Sequence, residues 1–439
     1  MAYTIGVLVA VVGLLVSIAL HEVGHMIPAK KFGVRVSQYM VGFGPTLWSR
    51  TKGETEYGVK AIPLGGYVRL IGMYPPADAV GNPPAKGFFG RMIEQARQAS
   101  AEEILPGQDG RAFYRLSTPK KLVVMLGGPV MNLAIAVVLF AIVLVGFGLP
   151  GNSTTLVQVS QCVLPVGAEA RACTSTDQVA PAAAAGLRAG DTVVSYNGVA
   201  ISSWEQLQGL IRGSGGTTVP IVVTRDGSRI ETTLTPIVAE RPVVGADGSS
   251  QTASDGSIVT TRVGFAGISP GTDLVPQSIT TVPGYIGTSL AQTFGVLVTL
   301  PARVVDVGKA AFGNGPRDAS SVIGPVGIGR FAGQIASENA VGYGLAGQVR
   351  DMLGLIAALN LALFAFNLIP LLPLDGGHVA GALWEGARRQ VARLRGLPRP
   401  RPVDIARMTP IAYGVFVLLS GMGVLLIYAD IVHPVALGG

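Results

Sequence analysis

The run from Ile5 to Leu20 contains no charged residue and passes directly into His21-Glu22-Val23-Gly24-His25. A helix with no polar face must be buried in a large core or in a bilayer, so this run limits the fold before anything else is read. On a helix, residues four apart share a face, so the H-E-x-x-H pattern lets both imidazoles reach one metal ion. Glu22, beside them, can take a proton from a water held at that metal. The pattern implies metal-dependent hydrolysis, and its flanks place the metal at membrane depth.

Composition supports the bilayer. Only 13% of the 439 residues are charged, against about 25% in soluble domains. Four stretches, near 4–26, 122–148, 352–374 and 409–430, are each long enough to cross hydrocarbon, which takes about 20 apolar residues. No positive charge precedes the first and no small-residue cleavage site follows it, so it is read as a retained span. Lys30, Lys31 and Arg35 follow the first span, Arg111, Arg115, Lys120 and Lys121 precede the second, and seven arginines lie between Arg388 and Arg407. Residues 150–164 and both ends of the chain have none. The positive-inside rule then places 27–121 and 375–408 in the cytoplasm, with 149–351 and both termini outside. The net charge of +7 is thus topological, and nucleic acid is not an expected partner.

The expected fold is a multi-pass α-helical membrane protein with four transmembrane helices. Into it are set an extracytoplasmic α+β domain and a membrane-associated β-hairpin region. The segments are 1–30, a cytoplasmic β-loop and mobile link at 31–121, 122–148, the α+β domain at 157–270, a membrane-proximal segment at 271–351, 352–377, a basic link at 378–408, and 409–430. Residues 41–73 alternate apolar and polar and are punctuated by Gly42, Gly44, Gly65 and Gly66, as hairpins require. Bare glycine edges beside a metal also suit a loop that takes up a substrate strand. Residues 240–260 read as a loop, and 277–347 as a mildly amphipathic segment that either lies on the outer membrane surface or packs as a soluble helix. The two cysteines, Cys162 and Cys173, lie in the outside segment. An oxidising compartment permits a bridge there, and buried free thiols are the alternative.

Tetrahedral zinc of the catalytic kind needs a third protein ligand and an open position. Asp375, at the end of the third span, is the best supplier, because a carboxylate at that depth is costly unless it has a functional role. The first and third spans run in the same direction, so Asp375 lies at the depth of His21 and His25 whichever side is inside. Pro370 and Pro373 break the helix before it, and Asn367 offers an amide to a substrate backbone. His378 is a weaker ligand candidate, and His433 is assigned no role. Gly127, Gly128 and Asn132 open the second span at the same depth. Asn132 can donate to an oxyanion or a peptide carbonyl, and helix packing through the glycines is the plainer reading.

Taken together these motifs resemble the site-2 protease family, of the bacterial regulator-of-sigma-E protease type. The matching features are H-E-x-G-H, the G-F-G-P and I-P-L-G-G-Y-V loop, G-P-x-x-N, A-G-L-x-x-G-D with N-G, and N-x-x-P…L-D-G-G, which together span nearly the whole chain. The resemblance implies an intramembrane metalloprotease with one Zn2+. Its substrates would be single-span membrane proteins such as anti-sigma factors already cut outside, or remnant signal peptides, in a bacterial inner membrane. It also implies that the outside domain is PDZ-like, with Gly186, Leu187, Gly190 and Asp191 in its signature turn, and acts as a size filter. Two features depart from the family pattern: Pro373 stands one residue later than the usual second proline, and there is one PDZ signature where some relatives carry two. A metal transporter or a PDZ scaffold with a structural metal would share the His and Asp cluster. Both predict little dependence on Glu22.

Overall fold

The computed structural model describes residues 1–81, 86–164, 172–243, 259–313, 317, 321–338 and 344–435. The loop read at 240–260 therefore lies largely outside the described residues. The chain divides into two units, Met1–Gly146 with Ser278–Gly439, and Phe147–Gln277.

The first unit is a helical bundle. Its helices are α1 (Ala2–Lys31), α2 (Ala77–Val80), α3 (Gly87–Glu102) and α4 (Thr118–Ala141), the last continued by a π-helical turn, Ile142–Phe147. In the second unit, α5 (Pro181–Ala184) and α6 (Trp204–Gly213) are short; the bundle resumes with α7 (Val282–Phe312), α8 (Pro325–Ser337), α9 (Gly344–Asn367), α10 (Asp375–Leu394) and α11 (Thr409–Val432). Helices α1 and α4 touch backbone to backbone: a Cβ added at Gly24 would lie 2.3 Å from the Gly127 carbonyl oxygen, and one at Gly127 would lie 2.0 Å from that of Gly24. Small residues let helices close this tightly where hydrocarbon supplies no drive between them. A polar contact joins α1 to α9 as well. Asn360 donates to the Ser17 hydroxyl at 2.8 Å, and both residues are buried.

Among the described residues five helices are long and apolar enough to cross a membrane, and the one beyond the four expected is Ile279–Phe312, in the segment read from sequence as membrane-proximal. Its two ends pack at the same end of the bundle. Tyr285 stacks edge-on against Phe140 of α4 at 5.3 Å, while Val307 and Ala311 pack with Leu426 and Ala429 of α11. That end is the one remote from His21: Asp430 of α11 accepts the Gly324 and Gly327 N–H groups at the start of α8, and an added Cβ at Gly6 would meet Ala332 of α8. Along α1, Gly6 and His21 are separated by about 22 Å at 1.5 Å per residue.

Strands β1 (Val36–Lys52) and β2 (Thr55–Leu70) form a sheet of their own. Each long strand bends at its glycines and is used twice. Residues 36–41 pair with 66–70 on one side and with 56–59 on the other, while 46–52 pair with 55–60. Gly42, Gly44 and Gly65 hold φ of 94°, 81° and 116°, a region costly for side chains with a Cβ. Phe43, Leu47, Trp48 and Ile62 leave the tip exposed and apolar. Tyr39 fixes the sheet to α1 by donating to the Ala19 carbonyl at 2.8 Å.

The second unit is α+β. Strands β3 (Leu149–Val159), β4 (Thr192–Tyr196), β5 (Val199–Ala200), β6 (Val219–Arg225), β7 (Ser228–Leu234), β8 (Ile237–Pro242), β9 (Thr260–Phe265) and β10 (Ile268–Val275) give a sheet ordered β10-β3-β4-β6-β7, with β5 beside β4, and a separate β8–β9 hairpin. Leu156, Tyr196, Leu207, Ile221, Val223 and Leu234 fill the core between this sheet and α6. Cys162 and Cys173 are joined by a disulfide.

Candidate metal centre and active site

Helix α1 delivers His21 and His25 to one face, and α10 begins at Asp375 after the chain leaves α9 at Asn367. The three side chains converge from segments far apart in the chain. His21 Nε2 and His25 Nε2 are 3.2 Å apart, and Asp375 Oδ2 lies 3.2 Å from the first and 3.3 Å from the second. Zinc–ligand bonds of about 2.0–2.1 Å in a tetrahedron require donors roughly 3.3 Å apart. The triangle therefore has the size of one tetrahedral face. Asp375 Oδ2 is buried and forms no properly directed hydrogen bond, which is expensive for a carboxylate unless a cation takes its charge.

Helix α4 supplies the rest of the cradle. An added Cβ at Gly128 would lie 2.3 Å from His25 Nε2 and 2.7 Å from His21 Nε2, so any side chain at 128 would fill the space in front of the donors. The sequence does not decide whether Gly127 and Gly128 serve packing or the site. In the structure, Gly127 serves the helix contact and Gly128 the cradle. His25 Nδ1 donates to the Val124 carbonyl at 2.8 Å, which leaves Nε2 as a lone pair for a metal. His21 Nδ1 meets the Asn132 amide nitrogen at 3.1 Å, while Asn132 Oδ1 is buried without a partner. The two ends of a carboxamide are nearly isosteric. Turned over, Asn132 accepts from His21 Nδ1–H, and both imidazoles then offer Nε2 to the metal. Its amino group is left to donate to another ligand of the site.

The three donors form the cluster; no fourth His, Cys, Asp or Glu joins it among the described residues. His378 lies one turn along α10 with Nδ1 unpartnered, and His433 caps the far end of α11. Glu22 faces the β-sheet: an added Cβ at Gly66 would lie 3.1 Å from Glu22 Cγ. Residues 66–70 pair with one strand only among the described residues, and their other edge runs past Glu22, whose carboxylate takes the Val68 N–H. Gly42 lies on the neighbouring segment, where a Cβ would press on the Lys60 and Ile62 carbonyls, and Gly44 sits over the Ile62 side chain. Asn367 closes α9 and Pro370 is exposed in the break that follows.

A sequence model of Peptidase family M50 matches residues 9–397. The chain belongs to that family. It is 35% identical over 443 residues to the zinc metalloprotease Rip1 of Mycobacterium tuberculosis, with 100% of each chain covered. The metalloprotease MmpA of Caulobacter vibrioides is 28% identical, with 89% of each chain covered. A putative zinc metalloprotease of Clostridium acetobutylicum is 26% identical, with 85% of each covered. This M50 chain is a zinc-dependent metalloprotease of membranes, and it crosses the bilayer several times.

The α+β unit contributes a different kind of buried carboxylate. Asp191 is fully buried and accepts from the Arg188 N–H at 2.8 Å, from Arg225 Nε at 2.6 Å and from Arg225 Nη2 at 2.8 Å. Burial works against its ionisation, yet the Arg225 guanidinium and the Arg188 amide outweigh it and hold the carboxyl below the usual carboxylate range. Gly186 and Gly190 take φ of 75° and 92°, and Leu187 enters the core. These four residues make a structural turn. Several polar pairs carry no sequence signal because their partners lie far apart in the chain. They include Ser17–Asn360, Lys121–Glu385 at 2.9 Å, and Arg317–Asp430 at 2.8 Å.

Proposed function

We propose that the chain cuts single-span membrane proteins within their transmembrane segments, with His21, His25 and Asp375 holding Zn2+ and Glu22 as general base. The carrying observation is the donor triangle, built from the membrane helix α1 and the first residue of α10, with Glu22 and the edge of residues 66–70 beside it. Zinc bound there supplies Lewis-acid polarisation of the scissile carbonyl and of the attacking water. Glu22 takes the proton of that water and returns it to the departing amine. A substrate helix buries its own backbone bonds, so it must unwind before it can react. The edge of residues 66–70, with the bends at Gly42, Gly44 and Gly65, holds the unwound stretch by strand addition. The free Asn132 amino group donates to the carbonyl as negative charge develops on it, and Asn367 and Pro370 border the route by which the substrate reaches the metal.

The topology we favour has four spans, α1, α4, α9 and α11, with the metal centre near the cytoplasmic face. Both ends of α7 pack at the opposite end of the bundle, which suits a helix lying along the outer surface. The Phe147–Gln277 unit and both termini are then extracytoplasmic in a bacterial inner membrane, where the Cys162–Cys173 bridge is chemically at home. That unit is PDZ-like and admits only substrates already trimmed outside, which fits anti-sigma factors after a first cut and remnant signal peptides. Candidate single-span proteins, truncated outside the membrane, are to be co-expressed with the wild type and with Glu22→Ala. Fragments that accumulate only with the variant support the reading, and equal turnover in both would overturn it.

A further inference from the structure

Helix α10 carries a second feature that proteolysis does not use. Its buried face, Ala382, Glu385 and Ala392, packs on the bundle. On the opposite side, Leu383, Trp384, Val391 and Leu394 fall within an arc of roughly 100° at 3.6 residues per turn. All four are exposed, Trp384 at 61% and Leu394 at 77%. Arg388, Arg393 and Arg395 flank this arc, are exposed, and have no carboxylate partner among the described residues. Arg389 alone turns back, to Glu385.

The position of α10 identifies what covers this face. Its first residue, Asp375, sits at the level of His21 and His25. Further along the helix, Glu385 pairs with Lys121 at 2.9 Å, and an added Cβ at Gly386 would lie 2.8 Å from the Thr118 side chain at the start of α4. Up to that point α10 runs alongside a membrane-spanning helix, so Leu383 and Trp384 point outward at the level of the lipid boundary. Beyond it come the arginines. The helix thus emerges from hydrocarbon with Leu383 and Trp384 against lipid and its exposed arginines following at headgroup level, where aromatic rings favour the interface and cations favour anionic headgroups.

We infer that α10 docks on the bilayer at the metal-centre end through Leu383, Trp384, Val391 and Leu394, with Arg388, Arg393 and Arg395 on anionic phospholipid headgroups. Because the helix begins at Asp375, that docking steadies the third ligand. This second part rests on the metal-centre reading above, whereas the first does not.

Both parts can be tested on the full chain in nanodiscs of phosphatidylcholine alone or with phosphatidylglycerol. The native cysteines are bridged, so Leu394→Cys gives one free thiol for an environment-sensitive fluorophore. The expected result is blue-shifted emission and quenching by chain-brominated phospholipid in anionic discs. Arg388→Gln/Arg393→Gln/Arg395→Gln should lose both, with docking weakened on the order of a hundredfold at about fivefold per arginine. Zinc loss to a chelator should be several-fold slower in anionic discs for the wild type and equal in both for the triple variant. Emission independent of lipid charge overturns the docking, and so does shielding that persists in lipid-free detergent, which would point to a second copy of the chain. Equal zinc loss in both lipids overturns the coupling to Asp375. Absence of bound zinc in every preparation would sink the metal-centre reading and leave the fluorescence result standing.

Discussion

Asp375 in the bundle and Asp191 in the α+β unit are both carboxylates largely shielded from solvent, yet their surroundings are opposite. Asp191 meets an amide and a guanidinium through three hydrogen bonds. Asp375 meets two imidazole nitrogens at 3.2 and 3.3 Å, and its Oδ2 has no properly directed hydrogen bond. Asp430, at the far end of the bundle, is of the first kind, with Arg317 and two backbone amides. The satisfied carboxylates are part of the fold, whereas the unsatisfied Asp375, in a tight cluster of donors, is the one assigned to the metal in the function proposed above.

The contrast can be broken by substitution. The largest effect is expected at the cradle. Gly128→Ala adds one methyl to a helix, a change that ordinarily favours helix by about 1 kcal/mol, yet it should abolish bound zinc and activity while leaving the protein folded. Asp375→Asn should do the same, measured as metal per chain by mass spectrometry with folding checked by circular dichroism. If Asp375→Asn unfolds the protein and keeps zinc, the contrast is wrong.

Next comes Glu22→Gln, which should lower the cleavage rate by about 10²–10⁴-fold with zinc retained, the usual range for removing a general base. Asn132→Ala should weaken zinc binding by about 10–100-fold, as loss of a partner to a metal-bound histidine does. Asn132→Asp, which keeps an acceptor for His21 Nδ1–H, should recover most of that affinity in a competitive chelator titration.

The smallest effect is a pH dependence confined to the α+β unit. The Asp191 carboxyl titrates lower folded than unfolded, where about 3.9 is usual. Its contribution is therefore complete above the unfolded value and lost as pH falls through the lower folded one. Proteolytic resistance of the 147–277 region should hold near neutrality and fall only in strong acid, and Asp191→Asn should flatten that dependence. Resistance that rises on acidification would contradict the Asp191–Arg225 account.

Much of the site is legible in the amino-acid sequence alone. His21 and His25 lie four residues apart on one helix with Glu22 between them, so local geometry carries the signal. Asp375 is reachable because an acid beside two prolines at a span's end is costly. The β1–β2 hairpin also follows from alternation and glycine punctuation. What the sequence hides depends on partners far apart in the chain. Neither Lys121 nor Glu385 signals the other across 264 residues, and Asn360 looks like an isolated polar residue until Ser17 is beside it. Helix α7 is hidden for a different reason: its hydropathy is the lowest of the five long apolar helices, so composition alone does not separate crossing from lying alongside.

Strand addition at residues 66–70, as proposed above, has a consequence for selectivity. Main-chain N–H and C=O groups are alike in every peptide, so a recognition surface made of them distinguishes poorly between one side-chain sequence and another. What it does register is whether a stretch of polypeptide can be straightened. Discrimination among victims then falls to helix frailty near the cut, and a few glycines or prolines in a membrane segment would mark it more surely than any consensus motif.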